Sequence, residues 1–357
     1  SNYISFDTCI FQGTIQSVNN QLSSSSETAA RDVLVTDIAA TTLPTDDYQR
    51  FTGCTFINGG TGYYTTSPPS YQTGRSLVNC NFINQYTNAF YTYWQYDFVV
   101  NNCTFTTNIN NSLYYAMYFG GGWANGGGYG NLINIRNNRI FDVPAGYGIY
   151  LASATRTDIN SGFVVNNMIQ MGTGTNSVPY ALFLQNCYGF NVYHNSVNVT
   201  TGNTGSYAAY IYNASTPRMD VKANIFANTG NGTSAGYIMY HYNNGNAANF
   251  LPLDSNVYFR GAGSIGFAND FGTIRSTFAA WKTGQSNLVD QYSVETNPGF
   301  VAANNLRIAN PFANVLNVQS RSTVTNDIDG ETRCGITDAG CDHHTSGADA
   351  AMDGIIY

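Results

Sequence analysis

The sequence predicts an all-β chain: a right-handed parallel β-helix (solenoid) of roughly nine or ten coils with an irregular C-terminal cap. Three observations predict it. The phrases Val164-Val165-Asn166-Asn167-Met168-Ile169, Val192-Tyr193-His194-Asn195-Ser196-Val197 and Val221-Lys222-Ala223-Asn224-Ile225-Phe226 repeat at steps of 28 (Asn167 to Asn195) and 29 (Asn195 to Asn224). The central slot extends in both directions as Cys9, Cys54, Cys80, Cys103, Asn138, Asn167, Asn195, Asn224 and Asn256, with an apolar residue three before it and another two after. Between slots a second apolar-aromatic phrase recurs, so every coil carries a further strand. Alternating apolar positions, β-branched and aromatic residues, and Gly and Asn punctuation make these segments strands rather than helices.

Stacked coils bring identical positions within about 4.8 Å of one another. A repeated Asn at a bend then becomes a ladder of amides bonding along the axis. The 45-residue step from Cys9 to Cys54 is long enough to hide one more coil, with Val33-Leu34-Val35-Thr36-Asp37-Ile38 as its phrase and Thr36 in the slot.

Composition agrees with an array. Of 357 residues, 10% are charged and 14% aromatic, with 27 Tyr and 36 Gly. Disorder would lack the aromatics. Net charge is −7 with 14 Lys and Arg and no basic stripe, which argues against nucleic acid as a partner. No apolar run approaches a membrane span. The chain opens directly on a strand, Tyr3-Ile4-Ser5-Phe6, without a signal peptide. The expectation is a trimmed precursor or a piece of a larger secreted protein or assembly.

In chain order, residues 1–259 read as coils and 260–357 as a capping region that continues the solenoid, expected to be followed by a sorting or anchoring domain. Gln21-Leu22-Ser23-Ser24-Ser25-Ser26-Glu27 reads as a surface loop, and residues 61–75, rich in Gly, Tyr, Thr and Pro, read as loop too. The second phrase follows: Ala89-Phe90-Tyr91, Ala116-Met117-Tyr118, Gly148-Ile149-Tyr150, Ala181-Leu182-Phe183, Ala208-Ala209-Tyr210 and Ile238-Met239-Tyr240. Period-2 alternation places Phe90, Met117, Ile149, Leu182, Ala209 and Met239 inward. It places Tyr91, Tyr118, Tyr150, Phe183, Tyr210 and Tyr240 outward, with Ala89, Ala116, Gly148, Ala181 and Ala208 beside them as a shallow trough. The reverse assignment buries the Tyr column.

Gly120–Gly130 is a glycine-rich insertion without the Lys-Ser/Thr of a phosphate loop, and its Trp123 and Tyr129 are positioned to overhang the aromatic face. After Asn256 the period fails, and Thr277-Phe278-Ala279-Ala280-Trp281-Lys282 reads as one short helix.

The tail carries a resemblance. Ser255-Asn256-Val257-Tyr258, Phe278-Ala279-Ala280-Trp281, Thr283-Gly284-Gln285, Asn297-Pro298-Gly299-Phe300-Val301, Leu306-Arg307-Ile308 and Asp327-Ile328-Asp329-Gly330-Glu331-Thr332-Arg333 occur in order. Over roughly these last 100 residues the chain resembles secreted bacterial right-handed parallel β-helix proteins, many of which look like type IX secretion substrates. The coils resemble pectate-lyase-like repeats only in general pattern. Ile336-Thr337-Asp338-Ala339-Gly340 departs from the family's closing phrase. The resemblance implies the fold and an extracellular or outer-surface location. It leaves the chemistry open, since such proteins include lyases and adhesins.

Two functional readings result. The favoured one is a non-catalytic, adhesive or structural module that meets a glycan or a surface protein through Tyr91, Tyr118, Tyr150, Phe183, Tyr210, Tyr240 and Trp123. Its bland counterpart is a ladder that only stabilises the sheet. The other reading is a polysaccharide lyase. Positions two and four before the slot share the outer face, and they gather Tyr193, Asp220, Lys222 and Asp254, with His194 at the bend. A lyase needs a base for the proton α to a uronate carboxylate and a cation to neutralise that carboxylate. A solvated ion-paired patch is the plainer explanation, and scattered acidic residues offer no glycosidase pair.

Asp327 and Asp329 are weak calcium candidates, since Asp-x-Asp-Gly falls short of a full loop. A turn at Asp329-Gly330 explains them as well. No other cofactor is expected. Cys54, Cys80 and Cys103 stack within disulfide range, or stand in for Asn as small buried residues. Cys334 and Cys341 are expected to form a local disulfide, leaving an odd thiol among seven, with Cys187 the candidate. His343-His344 reads as exposed tail.

Overall fold

The apolar residue three before each slot and the one two after it fall into two unbroken rows. Phe6, Phe51, Leu77, Val100, Ile135, Val164, Val192, Val221 and Leu253 pair in parallel register from coil to coil. Phe11, Phe56, Phe82, Phe105, Ile140, Ile169, Val197, Phe226 and Tyr258 do the same. The chain is a parallel β-solenoid in which the slot residue sits at the bend between two sheets. The computed structural model describes residues 3–13, 31–34, 48–66, 74–93, 97–120, 132–152, 162–174, 178–187, 189–201, 203, 205–212, 219–230, 235–242, 253–261, 264–309, 317–319, 321, 323–333 and 335–343.

Among these residues the first sheet has nine strands, from Ile4–Asp7 to Leu253–Asp254, and the second has ten, from Ile10–Gln12 to Val294–Glu295. A third sheet of ten runs from Arg31–Leu34 to Thr273–Arg275. Its last strand turns back antiparallel against Ser264–Asp270 and closes that edge. The axis between the sheets is filled by fully buried Phe, Val, Leu, Ile and Met side chains.

The bend has a fixed geometry. The residue before every slot, Thr8, Gly53, Asn79, Asn102, Asn137, Asn166, His194, Ala223 and Ser255, is left-handed, with φ between 53° and 63°. Asn fills four of these nine positions because its short polar side chain tolerates that region. The slot amides form the expected ladder, with Nδ2 of Asn138, Asn167, Asn195 and Asn224 donating to Oδ1 of the next Asn at 2.9, 2.9, 2.9 and 3.1 Å. Each Nδ2 also donates to a carbonyl on the preceding coil, as Asn195 does to Val164 at 2.8 Å.

The slot cysteines make the same bond with weaker chemistry. Cys54, Cys80 and Cys103 donate Sγ–H to the carbonyls of Phe6, Phe51 and Leu77 at 3.4–3.5 Å. All three are buried thiols, not disulfides. Cys replaces Asn here as a small donor, and stacking alone does not drive oxidation.

Five expectations need correction. Phe6 pairs directly with Phe51, so no coil intervenes. Arg31–Leu34 instead belongs to the third sheet, where Val33 pairs with Tyr63. Residues 61–75 are not all loop: Thr61–Thr66 is a strand of the same sheet. Ala89, Ala116, Ala181 and Ala208 do not form an outer trough but are fully buried. A Cβ on Gly148 would likewise meet the core side chains of Ile169 and Met171. Both residues of the Ala116-Met117 and Ala181-Leu182 pairs are buried against the core. His343 is buried, its Nδ1 3.0 Å from Thr337 Oγ1. Finally, Cys341, expected to bridge Cys334, is instead a free buried thiol. The loop at residues 21–27, Trp123, Tyr129, Cys334 and His344 lie outside the described residues.

The C-terminal region does two jobs. A short helix α1 (Phe278–Gly284), N-capped by Thr277 Oγ1 on Ala280 N at 3.1 Å, lies over the last coil. Its fully buried Trp281 packs on Phe267 and His241 and donates to Asp290 Oδ2 at 2.8 Å. Tyr258 and Ser293 donate to the other oxygen at 2.9 and 2.6 Å. Burial pushes the Asp290 carboxyl above its ordinary range despite these donors. The described residues between Phe300 and His343 lie back along the solenoid as a strap. Leu306 and Ile328 pack on Met168, Ile308 and Ala339 on Ile225 and Val257, and Val324 on Val165 and Tyr193.

Candidate functional site

The third sheet carries not one aromatic column off the core but two, although Tyr118, Phe183, Tyr207 and Tyr237, two of them expected to be outward contact residues, are buried among their neighbours at 5–9% exposure. The first is Tyr64, Tyr91, Tyr118, Tyr150, Phe183, Tyr210 and Tyr240, in register along the axis. The second, three residues earlier in each strand, is Tyr115, Tyr147, Tyr180, Tyr207 and Tyr237. Strict period 2 hid this column, because the two consecutive inward residues make the spacing three. The recurrence of Tyr at that spacing in five coils was the available signal.

Rings in the first column stack at 5.1 Å (Tyr64–Tyr91), 4.4 Å (Tyr91–Tyr118) and 4.2 Å (Phe183–Tyr210 and Tyr210–Tyr240), with planes within 9°. The stack breaks once, where Tyr118 and Tyr150 meet at 77° and Tyr150 and Phe183 at 53°. The second column stacks without a break at 4.8–5.8 Å. Edge-to-face contacts such as Tyr180–Tyr210 and Tyr207–Tyr240 interlock the columns. Each such pair contributes about 0.5–1.5 kcal/mol beyond burial.

Stacking along the axis turns ring faces toward one another, so the surface presents ring edges and phenol hydroxyls. Hydroxyl contacts knit part of it: Tyr93 and Tyr118 lie 2.8 Å apart, and Tyr150 donates to Gln185. Packing among neighbours pushes the phenols of Tyr91, Tyr118, Tyr150 and Tyr210 well above 10, and those of Tyr115 and Tyr207 to about 12. Desolvation is the largest cause in each case, and the face stays uncharged across physiological pH.

The first sheet brings together part of the other candidate set. Tyr193, Lys222 and Asp254 are in register on successive strands. Lys222 Nζ pairs with Asp220 Oδ1 at 2.8 Å. The Tyr193 hydroxyl donates to Asp220 Oδ2, with Asn191 Oδ1 3.0 Å away. That phenol is raised above 10, first by burial and then by Asp220, the wrong direction for a base working near neutral pH. Val324 packs on its ring and the Arg321 guanidinium lies 5.7 Å above it. Asp254 caps a turn, accepting from the Ser255 and Tyr292 amides at 2.8 and 2.7 Å. His194 stays at the bend, fully buried beneath the strap.

Asp327 and Asp329 are employed by the strap. Asp327 accepts the amides of Asp329, Glu331 and His343 at 3.0, 2.7 and 3.0 Å. Asp329 binds Arg307 at 2.7 Å and Arg139 at 2.9 Å. These carboxylates tie a turn and dock it on the solenoid, a different arrangement from a calcium loop. Among the described residues no cluster of three or more His, Cys, Asp or Glu is arranged to hold a metal, and no helix is long and apolar enough to cross a membrane. No family model, curated protein or solved structure matches the chain.

Proposed function

We propose that the chain is a secreted or cell-surface β-solenoid module that acts without catalysis. In this reading it adheres to a glycan or a partner protein through the aromatic face of the third sheet. The two interlocked Tyr columns carry the reading. They form a rigid, uncharged surface on which the half-buried rings of Tyr91, Tyr115, Tyr147, Tyr150, Tyr180, Tyr210 and Tyr240 offer apolar edges and hydroxyls along the axis. Such rows suit an extended, hydroxyl-rich ligand better than a single small molecule, because the faces a lone sugar would stack on are occupied by neighbouring rings. The extracellular setting rests on the tail's resemblance to exported β-helix proteins.

The test is binding of the purified chain to arrayed glycans and immobilised surface proteins, beside a Tyr150→Ala/Tyr210→Ala double variant with an unchanged far-ultraviolet spectrum. Binding by the parent that falls at least tenfold in the folded variant supports the proposal. Equal binding by both overturns it.

The alternative, a lyase acting on an acidic glycan, draws on the gathering of Asp220, Lys222 and Tyr193 on adjacent coils. It requires unsaturated, ultraviolet-absorbing products that disappear in Lys222→Ala. The tied-up, raised Tyr193 phenol weighs against it.

A further inference from the structure

The left-handed column at the bend is exposed at Thr8, Asn79 and Asn102 and half-buried at Gly53, Asn137 and Ser255. Beneath the strap the same column is buried at Asn166, His194 and Ala223. His194 is therefore a side chain that would stand in water but for the strap. Neither ring nitrogen makes a well-formed hydrogen bond, although the carbonyls of Asp338 and Gly340 lie nearby.

The strap faces it with cations. Arg333 is itself buried and donates to Asn166 Oδ1, the neighbour of His194 in the column, at 3.3 Å. Arg321 lies over the adjoining Tyr193 ring. The carbonyls of Asp338 and Gly340, the acceptors nearest the imidazole, already accept from Arg333 at 3.1 and 2.8 Å.

We infer that His194 is an acid-operated release for the C-terminal strap: it is held neutral while the strap is closed, and its protonation drives the strap off the solenoid. Opening would bare the apolar outer side chains Met168, Ile225 and Val257, now covered by Leu306, Ile308, Ile328 and Ala339. The surface exposed at low pH would thus differ in kind from the aromatic face.

The direction follows from linkage. Burial first, then Arg333 and Arg321, hold the closed-state imidazole well below its ordinary 6.5, whereas the open state restores that value. A depressed His makes closure most stable above the open-state value and progressively weaker as pH falls below it. From pH 7 to pH 5 the opening constant rises by up to about 25-fold for one such group.

The other ionisable groups under the strap act differently. Burial raises Asp327, so its protonation as pH falls favours closure, opposite in sign to His194, and it is common to the parent and the His194→Asn variant. Asp338 stands 3.6 Å from His343 Nδ1. Asp329 is held by Arg307 and Arg139, Asp342 accepts the Ile308 amide at 2.9 Å, and burial pushes the Cys341 thiol up.

The experiment is hydrogen exchange of strap peptides 300–343 in the parent chain and in His194→Asn, compared at each pH so that intrinsic exchange rates cancel. Asn already serves this backbone position in four coils, so the variant keeps the bend. The expected result is strap opening in the parent that grows by up to about 25-fold relative to the variant between pH 7 and pH 5. The same pH dependence in both overturns the inference. An independent reading comes from the imidazole resonances of the histidine-labelled parent. A His194 signal that titrates near 6.5 with the strap closed also overturns it.

Discussion

Replacing Asn195 by Ala tests whether the amide ladder holds the coils or merely marks the bend. The side chain is fully buried. One Nδ2–H is shared between Val164 O at 2.8 Å and Tyr193 O at 3.2 Å and counts once, the other goes to Asn224 Oδ1 at 2.9 Å, and Oδ1 receives Asn167 N at 3.0 Å and Asn167 Nδ2 at 2.9 Å. Four bonds at a net ~1 kcal/mol each give a loss of about 4 kcal/mol, rising toward 6 if the Asn167 amide is left without a partner. Asn195→Cys is the informative control. The protein already uses Cys in this slot, where the thiol donates across coils and Cys103 Sγ receives the Cys80 amide at 3.4 Å. The Cys variant therefore keeps weak versions of two bonds and should lose only about 2 kcal/mol. Urea unfolding followed by far-ultraviolet dichroism and by Tyr fluorescence gives both values, with m compared between variants. Equal losses for Ala and Cys, or a loss below about 1 kcal/mol for Ala, would refute the ladder as a source of stability.

Four further outcomes follow from the packing. Gly146→Ala places a Cβ 2.3 Å from the Tyr114 carbonyl at a φ of +84°, so a loss of at least 2 kcal/mol is expected in the same urea assay. Asp290→Ala removes the acceptor shared by Trp281, Tyr258 and Ser293, and proteolysis should then cut first around the helix over the last coil. The parent's Asp290, raised by burial, makes that end most stable at low pH and weaker as pH rises through its folded value, so Asp290→Asn should flatten this dependence in hydrogen exchange. Arg139→Ala, which leaves Asp329 with Arg307, should change global stability by less than about 1 kcal/mol, since the pair is half-exposed.

What was legible in the sequence is what the lattice of coils repeats. A residue three before the slot meets its equivalent on the next coil because parallel register forces it to, so Val164, Val192 and Val221 could be aligned by eye and are aligned in space. The aromatic column at Tyr210 and Tyr240 was legible for the same reason. The second column at Tyr207 and Tyr237 was not, because it depends on two consecutive residues both turning inward, which strict alternation forbids. The strap was illegible for another reason. Its partners, such as Arg333 with Asn166 and Leu306 with Met168, lie more than a hundred residues apart and recur nowhere else.

That difference also separates the two candidate surfaces. The Tyr face repeats with the coils, so a ligand that extends along the axis meets the same chemistry at each step and gains with length. The Asp220–Lys222–Tyr193 cluster occurs once, and its phenol is already bonded to a carboxylate and covered by Val324. A lyase at that site would need to break those contacts before substrate entered, whereas adhesion along the third sheet asks for no rearrangement of the stacked rings. The strap therefore argues twice for the binding reading: it lies over the Tyr193 end of that cluster, and its hydrophobic contacts lie on the first and second sheets, not among the Tyr columns.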